Sequence, residues 1–258
     1  STRKESSAAS DVYKRQVLAK YDTNGQLVKE YPIRNEHGGA SISGFCESRN
    51  HEIIISVWNG RVYHLDKEKD EFIPYPDKMR SRNPTVMVQD NEQDYFWLAT
   101  WGDGVVRFDP SAPGDSMFVY SEIPVNAAGE EDGLILSLAQ DDKLGYIWLT
   151  TGHDFMALQI QPDRTLKQLK FPAGLLPVNH MLVEVLKGKE CLWVSAFDRP
   201  SFILHLMDNI TKDYALPALA DRVNRSPAIM ALCDDGDGMM WMMQERTGLA
   251  LYLSLIHI

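Results

Sequence analysis

Apolar residues in this chain come in runs of about four to seven, alternating or continuous, and Gly, Asn, Asp and Pro punctuate them. That length and rhythm predict short β-strands joined by tight turns rather than helices. The clearest stretch is Tyr95–Pro110, which reads as a strand, a Gly102-Asp103-Gly104 turn and a second strand. The same sentence recurs around Ile54, Trp148, Trp193 and Trp241. Each unit divides into four strands. A first strand ends in an acidic turn (Ser41–Glu47, Val86–Asp90, Ile135–Asp141, Met181–Val185, Ile229–Asp234), and a second carries the anchor residue. A third follows the Gly-containing turn. A fourth is aromatic or aliphatic: Glu71–Tyr75, Met117–Tyr120, Leu166–Phe171 and Tyr214–Leu216. Ahead of these, 17–22 and 26–31 flank Thr23-Asn24-Gly25, and Asn-Gly between alternating apolar residues predicts a hairpin.

The anchors Ile54, Trp97, Trp148, Trp193 and Trp241 lie 43, 51, 45 and 48 residues apart. A period in that range, filled with short strands, predicts an all-β β-propeller of four-stranded antiparallel blades. One blade cannot bury both faces of its sheet, so blades stack around an axis and each covers its neighbour. A large anchor side chain between blades is then structural, burial being worth roughly 2–3 kcal/mol for a ring. Four units are complete and a fifth lacks its fourth strand. With the N-terminal pair they make a little over five blades. The pair offers a third and fourth strand where the last unit already has its third, so the reading is a fragment of a larger ring. An open ring leaves two blade faces unburied, and self-association is expected. Residues 1–16 and 253–258 break the repeat, resemble translated adaptor sequence, and are set aside, leaving 17–252 as the propeller.

Composition narrows the function. The 258 residues are 44% hydrophobic, enough for one large all-β domain, and contain no apolar run long enough for a membrane-spanning helix. Net charge is −10, or −12 without the first sixteen residues, which makes nucleic acid an improbable partner. Cys46, Cys191 and Cys233 have no metal-ligand spacing and read as small core residues, with Cys46 and Cys233 at equivalent first-strand positions. No nucleophile elbow, zincin helix or phosphate loop occurs, and no cofactor is expected. His37, His51, His64, His153, His180 and His205 stand singly. Asp234-Asp235-Gly236-Asp237-Gly238 carries carboxylates suited to a hard cation, yet lacks the alternate spacing and distal Glu of a calcium loop. It reads as an acidic hairpin turn, as do Asp141-Asp142 and Asp90-Asn91-Glu92, so no metal site is expected.

Topology predicts where binding residues gather. In an up-and-down blade the turn between the second and third strands emerges on the same rim as the link to the next blade. The turns contribute Trp58, Arg61, Trp101, Asp103 and His153, with Arg199 and Arg246 in the later units. The links contribute Arg82 and Arg225. Aromatic platforms with Arg, Asn and Asp suit a sugar ring, especially one bearing carboxylate or sulfate. Loops held on a rigid scaffold are where binding collects.

Trp97–Pro110, with Val88-Gln89-Asp90 as its lead-in and Leu138–Asp141 as that of the next unit, resembles the two-component regulator propeller repeat. The resemblance extends from about Val17 to Tyr252. It departs from the repeat at Ile54, which replaces a Trp, and at Ala196–Pro200, which replaces the Gly-rich turn. It implies the extracytoplasmic, periplasmic sensor of a hybrid histidine kinase of Bacteroidetes type. It also implies an oligosaccharide ligand derived from polysaccharide, a homodimeric parent, and membrane contact only through other segments. Catalysis would then belong to the kinase and not to these residues. Two alternatives use the same architecture. One is a secreted lyase resembling streptogramin lyase, for which His37 and His153 are the candidate residues; the other is a protein-interaction propeller without a small ligand.

Overall fold

The computed structural model describes residues 18–33, 41–58, 61–76, 79–80, 83–141, 144–171, 176, 182–187, 191–196, 202–205, 229–234, 239–244 and 248–253. Apart from one short 3-10 turn, Gly114–Ser116, every regular element among them is a strand. β1 (Leu18–Tyr21) and β2 (Leu27–Tyr31) form the predicted hairpin. Gly25 takes the left-handed φ of 76° that its turn requires, and the Asp22 carboxylate accepts the N–H groups of Asn24 and Gln26.

Three four-stranded sheets follow. The first is β3 (Ser41–Glu47), β4 (Ile53–Trp58), β5 (Val62–Asp66) and β6 (Glu71–Pro74). The second is β7 (Pro84–Gln89), β8 (Phe96–Thr100), β9 (Val105–Phe108) and β10 (Phe118–Tyr120). The third is β11 (Ile135–Asp141), β12 (Tyr146–Thr151), β13 (Phe155–Ile160) and β14 (Leu166–Gln168). A fourth sheet comprises β15 (Leu182–Lys187), β16 (Cys191–Ala196) and β17 (Phe202–His205), and a fifth β18 (Ile229–Asp234), β19 (Met239–Gln244) and β20 (Gly248–Leu253). Sequential strands pair antiparallel throughout. The expected fourth strand at Tyr214–Leu216 lies outside the described residues. β20 runs on through Leu253, so the last strand takes in the first residue assigned to the C-terminal tail.

First strands neighbour first strands: β3 packs by β7, β7 by β11, β11 by β15 and β15 by β18. The sheets therefore radiate from a common axis. Each first strand also carries a register shift near its start, between Ile42 and Gly44, Pro84 and Met87, Ile135 and Ser137, Leu182 and Glu184, and Ile229 and Ala231. A bulge bends and twists a strand, and here it does so where the chain enters each sheet.

The two faces of each second strand serve two different cores. Phe96 and Leu98 pack back onto Ile54 and Val62 of the first sheet, whereas Trp97 and Ala99 pack forward onto Ile147 and Leu149 of the third. Trp148 repeats the arrangement, packing forward onto Val185, Leu192 and Val194 and stacking on Phe155 at 5.4 Å. Ile54, Trp97, Trp148 and Trp193 are all buried, as their anchor role requires. Trp241 departs from expectation at 38% exposed, because no described strand covers the forward face of the fifth sheet. The cysteines depart in part. Cys191 is buried and Cys46 partly so, but Cys233 is exposed. The register nevertheless confirms the equivalence of two of them, since Cys46 pairs with Ile54 and Cys233 with Trp241.

Polar contacts seal the sheets at the end where first and second strands connect. Asp90, fully buried, accepts the Trp97 indole N–H at 2.9 Å with Oδ2 and the N–H groups of Glu92 and Gln93 with Oδ1. The Gln89 side chain accepts the N–H of Arg49 in the preceding sheet's turn, and Gln140 in turn accepts that of Asn91. The Arg49 guanidinium donates forward to the Asn91 and Gln93 carbonyls. The acidic turn around Asp90 is thus structural, its carboxylate being committed to the turn's own N–H groups and to Trp97.

Candidate functional site

At the opposite end, the turns between second and third strands meet the links that precede each sheet, as topology predicts. The turn Trp101–Gly104 is the best defined. Thr100 ends β8, and its hydroxyl donates to the Gly104 carbonyl at 2.8 Å and accepts the Asp103 N–H at 3.0 Å. The Trp101 N–H donates to Asn83 of the link ahead, and the N–H groups of Gly102 and Gly104 both point at the Gly133 carbonyl of the link behind, at 2.8 and 3.2 Å. Backbone meets backbone here: a Cβ on Gly133 would lie 2.1 Å from the Gly102 oxygen. Gly104 has a left-handed φ of 68°, and a Cβ there would press on Pro124.

These bonds hold the turn without using its side chains. Trp101 is 51% exposed, and its ring meets that of Trp58 edge to face at 5.3 Å. The pairing register makes the two residues equivalent, each four positions beyond its anchor. Trp58 comes from the first sheet and Trp101 from the second, so the pair bridges two sheets.

The third sheet continues the same rim. Thr151 repeats Thr100, accepting the Asp154 N–H at 2.8 Å, and its hydroxyl donates to Asp132 Oδ2 at 2.6 Å. Asp132 is buried to 4% exposure in the link residues just before β11, and His153 Nδ1 stands 3.4 Å from the same oxygen with most of its ring in solvent. Asp154, also buried, accepts the Ala127 N–H of that link at 2.8 Å. Gln168 of β14 ties the link down from outside, exchanging two bonds with the backbone of Val125. One continuous arc therefore runs from Trp58 through Trp101, Gly133 and Asp132 to His153.

Of the residues expected on this rim, Trp58, Trp101, Asp103 and His153 fall on the arc. Arg61 lies beside Trp58, where its guanidinium reaches the Pro76 carbonyl at 3.4 Å. Arg82, Arg199, Arg225 and Arg246 lie outside the described residues, as does His37. Sequence reasoning missed Asp132 and Thr151. Asp132 follows Glu130-Glu131 and reads as one more solvated acid; the signal was the glycine after it, whose missing side chain lets the link touch the neighbouring turn.

No family model matches the chain, and no curated protein does. Solved structures do. The extracellular domain of a hybrid two component system from B. thetaiotaomicron superposes with a TM-score of 0.65 at 16% identity, over 94% of this chain and 31% of that one. PorZ, a surface component of the type-IX secretion system of Porphyromonas gingivalis, gives 0.68 at 14% identity over 93% and 37%. Virginiamycin B lyase from Staphylococcus aureus, with quinupristin, gives 0.65 at 17% over 93% and 74%. With the radial array of sheets, these likenesses decide the architecture. The chain is a β-propeller. Its sheets are the blades, and the arc lies on the rim where blade-to-blade links emerge. The chain spans about a third of the length of the first two similar structures.

Proposed function

We propose that this propeller is part of the extracytoplasmic, periplasmic sensor of a hybrid two-component system and that it captures an oligosaccharide on the arc through Trp58, Trp101 and His153. The observation that carries the reading is the Trp101 turn. An indole half in solvent, met edge to face by a second indole, sits on a turn fixed by backbone bonds to both flanking links. Aromatic side chains presented rigidly by loops are the usual means of binding a pyranose face. The likeness to extracellular domains of hybrid two component systems supports the sensor role. The chain then catalyses nothing itself. Kinase, membrane span and the contacts of a homodimeric receptor belong to other segments.

Two experiments test the reading. Sequencing the locus on both sides of the coding region should reveal a membrane-spanning segment and histidine kinase motifs; a locus without either overturns the sensor role. Titrating the purified chain with oligosaccharide fragments of plant and host polysaccharides should quench tryptophan fluorescence, and Trp101→Ala should weaken binding at least tenfold. An unchanged affinity in that variant would remove the arc from ligand capture.

A further inference from the structure

Comparing the blades with one another separates side chains the fold uses from side chains it does not. Position by position, Trp101, Gly102 and Asp103 of the second blade correspond to Gly152, His153 and Asp154 of the third, since Thr100 and Thr151 make the same turn-closing bond. In the third blade the aspartate is structural: Asp154 is buried and holds the link through Ala127. In the second blade Asp103 is partly exposed, and its carboxylate has no partner among the described residues. Where the third blade has glycine, the second has Trp101, whose indole N–H has no partner and whose ring meets Trp58 alone among the described residues. The turn thus spends six backbone and hydroxyl bonds on its own shape and presents Trp101 and Asp103 two residues apart with no polar partner among the described residues.

The surroundings set the charge of what they would hold. The turn and the 121–134 link contain Asp103, Glu122, Glu130, Glu131 and Asp132 and no lysine or arginine. The two described arginines of the neighbouring rim are engaged elsewhere, Arg61 on the Pro76 carbonyl and Arg80 over the Tyr120 ring at 4.2 Å. Among the described residues, a carboxylate or sulfate brought to Trp101 would meet the like charge of Asp103 and the 121–134 link without a compensating cation, Lys78 and Arg82 of the link ahead lying outside them.

We infer that Trp101 and Asp103 form a subsite for an uncharged or amino-bearing pyranose and select against acidic sugars. This rests on the oligosaccharide reading above and differs from the anionic sugar expected from the arginines in the sequence, of which Arg82, Arg199, Arg225 and Arg246 lie outside the described residues. The indole carries the sugar's apolar face. Asp103 accepts hydrogen bonds from a pair of hydroxyls, or from an ammonium group, which an adjacent ring face also favours.

The test uses the 258-residue chain, a glucosamine tetramer, a neutral glucose tetramer and a galacturonate tetramer, followed by calorimetry at fixed ionic strength. The expected order is glucosamine first, glucose second and galacturonate last by at least tenfold. Asp103→Asn should abolish the advantage of glucosamine over glucose, and Trp101→Ala should weaken both at least tenfold while leaving the thermal transition unchanged. Galacturonate binding tightest, or a ranking that survives Asp103→Asn, overturns the subsite while leaving oligosaccharide sensing intact. Failure of all three sugars to bind overturns both.

Discussion

Asp90 is shared between its own turn and the core, and that division sets the cost of changing its partner. One oxygen holds two backbone N–H groups, and the other takes the Trp97 indole and the Gln140 amide. Trp148 offers an internal control, being as deeply buried with an indole nitrogen that has no acceptor among the described residues. Trp97→Phe removes ring volume and a hydrogen bond to a buried carboxylate, worth about 1.5–3 kcal/mol, whereas Trp148→Phe removes volume alone. The first variant should therefore be less stable than the second by about 1–2 kcal/mol in urea unfolding; equal midpoints would show that the indole–Asp90 bond contributes nothing. The spacing alone did not reveal the bond, because Asp and Trp stand seven apart in both units and only Trp97 bonds its aspartate among the described residues. The Gln89 and Gln140 contacts were not legible either, since each joins residues at least forty positions apart in different blades.

At the scale of the element, the N-terminal hairpin shows how a two-stranded piece stays attached. Tyr31 and Ile33 bury against Ile55, Val57 and Tyr63 of the first blade, and Tyr31 meets Phe72 edge to face. Asp70, in a left-handed turn between β5 and β6, accepts Lys29 Nζ at 2.9 Å and the Tyr31 hydroxyl at 2.7 Å. The bond to Asp70, then burial, pushes the Tyr31 hydroxyl up to about 12, while the bonds from Lys29 and Tyr31 hold the Asp70 carboxyl below its ordinary 3.8. The signs differ. Asp70's contribution is complete above 3.8 and disappears as pH falls through its lowered folded value. Tyr31's is complete below 10 and disappears as pH rises from 10 through about 12. Amide exchange in β1 and β2 should thus accelerate at both extremes with the blades still protected. In Asp70→Asn the ultraviolet titration of Tyr31 should move back toward 10, and a midpoint left near 12 would assign the shift to burial instead. The Asn-Gly signal made this hairpin legible in the sequence. Its clasp was not, for Asp70 lies some forty residues from Lys29 and Tyr31.

Over the whole molecule, anchor spacing made blade order legible because each blade buries its neighbour in the same way. The rim was legible only as topology. Trp101 and His153 could be placed on one end of the strands, but what joins them is the Gly133 carbonyl and the buried Asp132, visible only once link and turn are in contact. The same regularity exposes its exceptions. Anchors facing a following blade are at most 4% exposed, whereas Trp241 is 38% and Met243, on the same side of β19, 48% exposed. At the other end of the array, Phe45 of the first blade is 58% exposed. These two faces differ in composition, so a contact between copies is head to tail and adds copies in series until a ring closes. The 258-residue chain should therefore form a concentration-dependent series of oligomers in sedimentation velocity. Trp241→Lys with Met243→Lys should shift it toward monomer without lowering the melting temperature, because neither side chain packs inside a described core. A parent chain that sediments as monomer over a hundredfold range of concentration, with one sharp reversible melt, would mean that residues outside those described cover both faces.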